Sequence, residues 1–456
     1  MRRVVKVSRI RIIITIIVVV LTTLLTGCTG KEPNEIAYVV ALGIDSTDDD
    51  NYKITIQYAN TTQISGGASE SGGKAGSEIV DNVTIEAPNI YAGVGLANNI
   101  VSKSFSMSHA KLIVFSKEIA EKGVKDMIET LVRSEEIRPD VFIAVANTTA
   151  NDYLTSVNPE MEVNPAQYYQ LIYQKNQLVG IPDGQLREFF TGLYTDNYDS
   201  ILPVAGVIEG SGSNRQNDDK GQSKDGQNEG SEGGSESLDS FESKSSDDKD
   251  ENEKEKDAEK NTSKYEYDIK NYVGGETAIE KKNKAEAIGA AVFEKDKMVG
   301  ELGEVETEIC KILKGDYTYS YLTYYNNDTP DIPITVKTTQ QKKPKYKIDT
   351  DKKTVDIELY IESDLYSLPA DYNVENKIED FERDVANYTS SACTEFINNF
   401  TKKYNSDILK LNEKVKYKFL TNNQYNWFKK NVGWSEYKFS VCTNFKVRRT
   451  GLIVRE

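Results

Sequence analysis

The order of apolar and polar positions divides the chain into an apolar leader, a mixed first region, a long polar stretch and a more regular last third. Residues 35–45 (EIAYVVALGID) form a short apolar run ending in Gly43-Ile44-Asp45 and predict a buried strand. Residues 52–58 alternate and predict its hairpin partner across the polar turn 46–51. Residues 61–82 are rich in Gly and Ser and predict a loop, without the strand-to-helix setting of a phosphate cradle. A helix is predicted over 88–103, with Pro88 in its first turn, and a strand over 111–115. Ile119, Ala120, Val124, Met127, Ile128, Leu131 and Val132 recur at three- and four-residue steps and predict one amphipathic helix. A buried strand follows at 141–146, then helices at 150–157 and 165–174. Residues 200–209 read as a strand that Pro203 assigns to a sheet edge.

Residues 211–260 carry 16 acidic and 8 basic side chains, with only Leu238, Phe241 and Ala258 apolar. Such a segment buries too little surface to offset its ordering entropy, so a disordered acidic insertion is predicted over 211–262. Beyond it, 286–293 and 298–300 predict a hairpin. A helix over 304–313 carries a Val305, Ile309, Ile312 stripe with Cys310 beside it. In the last third, strands are predicted at 334–338, 345–349 and 355–363, the last facing inward through Val355, Ile357, Leu359 and Ile361. The longest helix, 374–404, aligns Val374, Ile378, Phe381, Val385, Ala392, Cys393, Phe396, Ile397 and Phe400. A helix at 424–431 and a strand at 437–448, lined by Phe439, Val441, Phe445 and Val447, close the chain. The expected fold class is α+β (mixed α/β), with mixed sheets flanked by helices. The predicted divisions are a leader at 1–27, an N-terminal domain at 28–200, a middle domain at 201–315 interrupted by the insertion, and a C-terminal domain at 316–456.

The leader changes the picture most. Arg2, Arg3, Lys6, Arg9 and Arg11 precede an apolar run over 12–25, and then comes Leu25-Thr26-Gly27-Cys28. Charged start, apolar run and small-residue cleavage site make a signal peptide. The run is shorter than the roughly 20 residues that span a bilayer. Leu25, Thr26 and Gly27 before Cys28 resemble a bacterial lipobox, in which the thiol takes a diacylglycerol, a palmitate-bearing lipid, and becomes the new N-terminus. Two acyl chains anchor stably, at about 0.8 kcal/mol for each buried methylene. The remaining chain is then expected outside the cytoplasm as a lipoprotein.

The formal charge is −16, and loss of the five basic leader residues leaves −21. That balance argues against nucleic acid and anionic lipid head groups as direct partners. With Cys28 lipidated, Cys310, Cys393 and Cys442 allow at most one disulfide. Cys393 and Cys442 fall on opposed phases of their elements, which disfavours that pair. A single histidine, His109, and no Cys-x-x-Cys spacing give little support for a metal site, and no other cofactor is implied. His109 reads as a hydrogen-bonded structural residue: no nucleophile elbow, second histidine or environment-split carboxylate pair accompanies it.

The ordered motifs carry a resemblance. Ala41-Leu42-Gly43-Ile44-Asp45 after the lipobox, Ser108-His109-Ala110-Lys111-Leu112-Ile113-Val114 with Ile119-Ala120-Glu121-Lys122-Gly123, and Arg138-Pro139-Asp140 follow one another in order. So do 289–300, Leu313-Lys314-Gly315 and Lys446-Val447-Arg448-Arg449-Thr450-Gly451. Together they resemble the Ger(x)C family of spore germination lipoproteins, the C subunits of nutrient germinant receptors. Thr29-Gly30 replaces the family's usual tryptophan-aspartate, the acidic insertion has no counterpart there, and 406–410 replaces a glycine-rich turn. The resemblance implies a non-enzymatic, three-domain lipoprotein, anchored on the outer face of the spore inner membrane. It would work there with the integral membrane A and B subunits, through contact surfaces expected at 61–82 and after Asp140. The alternatives are a solute-binding lipoprotein of an import system, which calls for two similar lobes, and a surface hydrolase, which calls for a nucleophile and base.

Overall fold

The computed structural model describes residues 13–18, 35–49, 51–59, 80–158, 165–174, 180–195, 197–208, 271–277, 283–325, 333–367 and 377–450. The lipobox, most of the predicted loop at 61–82 and the acidic stretch at 211–262 lie outside them. Among the described residues, no helix is long and apolar enough to cross a membrane.

The first sheet contains β1 (Ile36–Ser46), β2 (Tyr52–Ala59), β3 (Val80–Ala87), β4 (Ser104–Ser106), β5 (Leu112–Ser116), β6 (Phe142–Ala146), β7 (Ile201–Val207), β8 (Ala285–Glu294) and β9 (Lys297–Leu302). Its order is β3-β2-β1-β5-β6-β7-β8-β9, with β4 beside β1. The four central strands run parallel and both margins antiparallel. Strands buried on two faces read as continuous apolar runs, as in β5 (LIVFS) and β6 (FIAVA), where every residue is buried. Alternate side chains serve opposite layers. Ile113, Phe115, Ile143 and Val145 pack with α1 (Ile90–Ala97), α2 (Lys117–Lys122), α3 (Lys125–Arg133) and α6 (Leu186–Thr195). Leu112, Val114, Phe142 and Ala144 pack with α4 (Ala150–Ser156) and α5 (Pro165–Gln174).

The second sheet joins β10 (Tyr319–Tyr325), β11 (Pro333–Gln340), β12 (Lys345–Asp349), β13 (Thr354–Ser367) and β14 (Lys438–Arg449). β12 pairs with the first half of β13 and β11 with its second half, while β14 runs parallel to β13 over Thr354–Asp364. One face alone is covered. Val355, Ile357, Leu359 and Ile361 are buried, and β14 alternates buried and exposed residues through most of its length. The cover is α8 (Ile378–Tyr404), which contributes Phe381, Val385, Cys393, Phe396, Ile397 and Phe400. The same helix caps backbone groups of β14. The N–H groups of Phe439, Val441, Thr443 and Val447 donate to Asn398 (3.1 Å), Thr394 (3.0 Å), Ser390 (2.9 Å) and Glu382 (2.8 Å). Asn398, Thr394 and Ser390 are four residues apart, one turn each, so a polar ridge follows the strand and blunts a template for foreign strands.

Helix α7 (Glu304–Lys314) joins the two sheets, contacting β8 and β9 of the first, β13 of the second, and α8. Its start is fixed by Glu306, which accepts from Gly303 N–H at 3.0 Å, and its end by Gly315 at φ 81°. The described chain on both sides of the insertion is one compact unit.

Several expectations need correction. The strands assigned to a middle domain form no sheet of their own: β7, β8 and β9 extend the first one. Pro203 does not mark an edge, because β7 lies between β6 and β8. Residues near Gly184 take the place of a neighbour there: Ile143 N–H donates to Gly184 O at 2.7 Å, and β6 meets β7 only at Val204 and Ala205. The pairing with β8 is also irregular between Pro203 and Ala205. The helix predicted over 119–132 is two helices, broken where Gly123 adopts φ 123° and Val124 N–H donates to Asp296 O at 3.0 Å. The helix predicted from Pro88 ends at Ala97, and β3, β4, α6 and β10 were not anticipated.

Asn398 satisfies both the N–H and the C=O of Phe439. Asn398→Ala leaves both groups without that partner and is expected to destabilise the protein by about 1–3 kcal/mol, measured by urea unfolding; a change inside error would show that water replaces the amide freely.

Candidate functional site: the seam between the sheets

The residues singled out from sequence do not converge. Leu25, Thr26, Gly27 and Cys28 lie outside the described residues. His109 is exposed, its Nδ1 3.0 Å from Ser108 Oγ and its ring against Tyr38 at 4.8 Å. Cys310 and Cys393 are buried and Cys442 is exposed, all three as free thiols. Burial raises the Cys310 thiol to about 11 and the Cys393 thiol to about 12, which keeps both protonated and unreactive. Cys310 sits on the buried face of α7 rather than beside it, with Thr307, Lys311 and Leu313. The segment after Asp140 is β6, buried throughout, so that stretch is no contact surface.

The Gly43-Ile44-Asp45 motif has a structural task. A Cβ on Gly43 would stand 3.0 Å from Leu154 Cδ1 and 3.1 Å from Ala150 Cβ, so the missing side chain lets α4 approach β1. Asp45 then accepts from the N–H groups of Ala150 (2.6 Å) and Asn151 (3.0 Å), the open donors of that helix. Burial raises its carboxyl despite those two bonds.

The most elaborated polar region lies at the seam between the two sheets. A cleft of about 460 Å³ opens there, lined by 183–189 and 198–202 from the first sheet, 314–318 after α7, and Lys410. Lys410 follows α8 at the left-handed position φ 56°, just before α9 (Leu411–Val415). Its Nζ lies 3.1 Å from Glu188 Oε2 and 4.2 Å from the centre of the Tyr198 ring. Burial alone would raise the Glu188 carboxyl, but the bond and charge of Lys410 outweigh it, and Glu188 is held below its ordinary range. Asp183 keeps one side open to solvent, yet the cleft walls raise its carboxyl against the pull of Lys314. The lining holds four carboxylates (Asp183, Glu188, Asp199, Asp316) against two lysines and contains neither histidine nor cysteine.

Behind the cleft the two halves are tied by a reciprocal pair. Asp407 N–H donates to Asp199 Oδ2 at 2.9 Å, and Asp199 N–H donates to Asp407 O at 3.1 Å. The buried Asp407 carboxylate accepts from Leu411 N–H (2.7 Å) and Asn412 N–H (2.8 Å) at the start of α9. Burial raises it to about 7 although both bonds oppose the shift, and Asp199 adds to it. On α7, burial likewise lifts Glu308 to about 7 and lowers Lys311 to about 8, whose Nζ donates to Ile181 O at 3.1 Å. These groups were not anticipated. A polar run such as Ser406-Asp407 gives no sign of burial until its partners are known. Among the described residues, no cluster of three or more His, Cys, Asp or Glu could hold a metal ion.

The fold thus defines a two-sheet α+β protein with a polar seam between the sheets. Residues 30–207 match the family described as spore germination protein N-terminal domain, and residues 288–451 match spore germination B3/GerAC-like, C-terminal. The chain belongs to this Ger(x)C family of spore germination proteins. It is similar to spore germination protein KC of Bacillus subtilis (strain 168), 26% identical over 174 residues covering 35% of this chain and 42% of the relative. It is also similar to the putative spore germination protein YfkR of that organism, 28% identical over 145 residues, 32% of this chain and 37% of the relative. The aligned segments span less than half the length of these relatives. The crystal structure of the GerBC protein aligns over 89% of this chain and 96% of its own, with 15% identity and a TM-score of 0.48.

Asp407 gives the seam a pH signature. Below the ordinary carboxylate range both folded and unfolded chains hold its proton, and its burial adds no charge penalty. As pH rises from about 4 to 7 the unfolded chain ionises first, so this contribution is lost across that window and stays lost above it. Relative to Asp407→Asn, the wild type should be most stable at the acidic end and lose that advantage by neutral pH, read from melting temperatures across the range. Parallel curves would place an ordinary, solvated carboxyl at this position.

Proposed function

We propose that the chain is a non-enzymatic lipoprotein subunit of a germinant receptor, required for nutrient-triggered spore germination. A diacylglycerol on Cys28 would hold it on the outer face of the spore inner membrane. Its folded part would assemble with, and couple to, the integral membrane A and B subunits. The observation that carries this reading is the match of two spore germination family models, one to most of the first sheet and one to its last strands and the whole second sheet. The order of cationic start, apolar run and Leu25-Thr26-Gly27-Cys28 supports the anchor.

The import-system alternative calls for two similar lobes. The two sheets here are unlike: one has a parallel centre covered on both faces, the other is covered on one face by α8. That difference favours the receptor reading. The paired charges of the cleft favour a binding or bracing role over hydrolysis.

Crosslinked pull-down of the tagged protein from spore inner membranes, with partners identified by mass spectrometry, tests the assembly. Two integral membrane subunits are expected; a permease with an ATPase would replace this reading with the importer. Cys28→Ala is expected to abolish incorporation of an alkyne-tagged fatty acid and to release the protein in a high-salt wash. Undiminished labelling would put the lipid on another residue.

A further inference from the structure

Among the described residues, the most exposed large apolar side chains with a basic surround lie in the stretch 411–431. Leu420 is 94% exposed, Tyr417 80% and Trp427 69%. They belong to a folded unit, not to a frayed end. Phe419 packs against Tyr425 (5.9 Å) and Phe428 (4.9 Å), and Phe428 against Trp434 (6.2 Å). Tyr425 is buried, with its hydroxyl donating to Asn412 O at 3.1 Å. This ring cluster fixes the turn between Lys416–Lys418 and α10 (Asn422–Asn431) and leaves Tyr417, Leu420 and Trp427 outside it. Trp427 stands two residues, about 200° of helix, from Tyr425, and so faces away from the core.

Charge separates this patch from the exposed apolar side chains of α1 and the turn after it. In a chain of net charge −16, the stretch 411–431 holds Lys414, Lys416, Lys418, Lys429 and Lys430 against Glu413 alone, a local charge of +4. Half of the chain's net charge comes from 211–260, so the net value hides this basic face. Leu96 and Ile100 are also exposed, but the residues from α1 through β4 supply only Lys103. Lys429 is engaged, donating to Thr195 O (2.9 Å) and Asn197 Oδ1 (3.0 Å), and Lys418 donates to Ile348 O, while Lys416 and Lys430 are exposed.

Trp and Tyr partition to the boundary between hydrocarbon and water, where the ring is apolar and its polar edge stays wet. An exposed leucine adds apolar burial, and lysines beside it reach anionic head groups while their stems lie along the acyl boundary. We propose that Tyr417, Leu420 and Trp427, with Lys416 and Lys430, form a second membrane contact that rests on an anionic lipid surface. The contact would act beside the lipid on Cys28 and depends on the proposed membrane location for its physiological setting. Its chemistry is tested without the anchor.

The test uses full-length Cys28→Ala protein with vesicles of phosphatidylcholine containing about a third phosphatidylglycerol, the attraction to anionic lipid being salt-sensitive. Trp427 and Trp434 are the chain's two tryptophans, and Trp434 is only 2% exposed, so Trp427 is the reporter. At low salt its emission should shift to the blue and be quenched by brominated acyl chains. Lys416→Glu with Lys430→Glu should weaken this response by tenfold or more in lipid concentration. Trp427→Phe should remove the shift and the quenching while the protein stays folded. Because the readout is local to Trp427, insertion of the leader cannot imitate it, and failure of the Cys28 anchor leaves it unaffected. Trp427 that stays open to aqueous iodide on these vesicles overturns the proposal, as does protection seen only with a protein partner.

Discussion

Burial of one helix between two unlike sheets is the constraint on which this structure depends. Helix α7 has Thr307, Cys310, Lys311, Ile312 and Leu313 buried along an eleven-residue span, and elements of both sheets lie against it. Its neighbours are β8 and β9 of the first sheet, β13 of the second, and α8. The ends of α7 are fixed accordingly. Gln340 donates to Ile312 O at 3.0 Å, Tyr346 hydroxyl donates to Leu313 O, and Gly315 turns the chain away under Pro344. These three contacts come from the second sheet and its approaches, whereas the start of α7 is held by 271–272: Asn271 accepts from Val305 N–H at 3.0 Å, and Glu304 N–H donates to Tyr272 O at 2.8 Å. The helix is therefore clamped at one end by each half of the molecule.

The same demand explains where the unusual charges are. Joining two sheets around one helix buries polar groups that a separate domain would leave in water. Lys311 stays inside because its stem packs and its Nζ reaches Ile181 O; Asp407 stays inside because two open N–H groups of α9 and the backbone of Asp199 need an acceptor and a neighbour. Each is a buried ionisable group with directed bonds, the condition under which such groups persist. The cleft in front of them is the remaining gap, and two of its rim carboxylates, Glu188 and Asp316, are paired with Lys410 and Lys314.

Legibility from sequence followed how local each determinant was. β5, β6 and the inward face of β13 were readable because burial on a known face writes itself as an apolar run or a period of two. The long helix was readable for the same reason at a longer period, and its phase correctly separated Cys393 from Cys442. Helix α6 was hidden by Gly192, which is there because a Cβ would come within 2.8 Å of the Tyr198 ring, a contact no local pattern announces. Pro203 misled because its tolerance in an interior strand comes from the chain near Gly184, nineteen residues earlier. The seam was invisible for the same reason: Asp199 and Asp407 are 208 positions apart.

The acidic stretch separates β7 from β8 in the sequence, yet these strands pair antiparallel from Ile201–Val292 to Val207–Ala285. An insertion of this kind enters between adjacent strands of one sheet, where the closure entropy grows only slowly with loop length. It therefore sits in the connection between two paired strands. The true division, between the two sheets, falls after α7 and is crossed by the Asp199–Asp407 pair, by Lys410 with Glu188, and by Tyr425 with Asn197 at 3.2 Å. Segments that meet through a shared helix, buried carboxylates and an ion pair lack the small polar interface that leaves domains free to move. Movement of one sheet against the other would therefore have to break the α7 contacts and the seam bonds together.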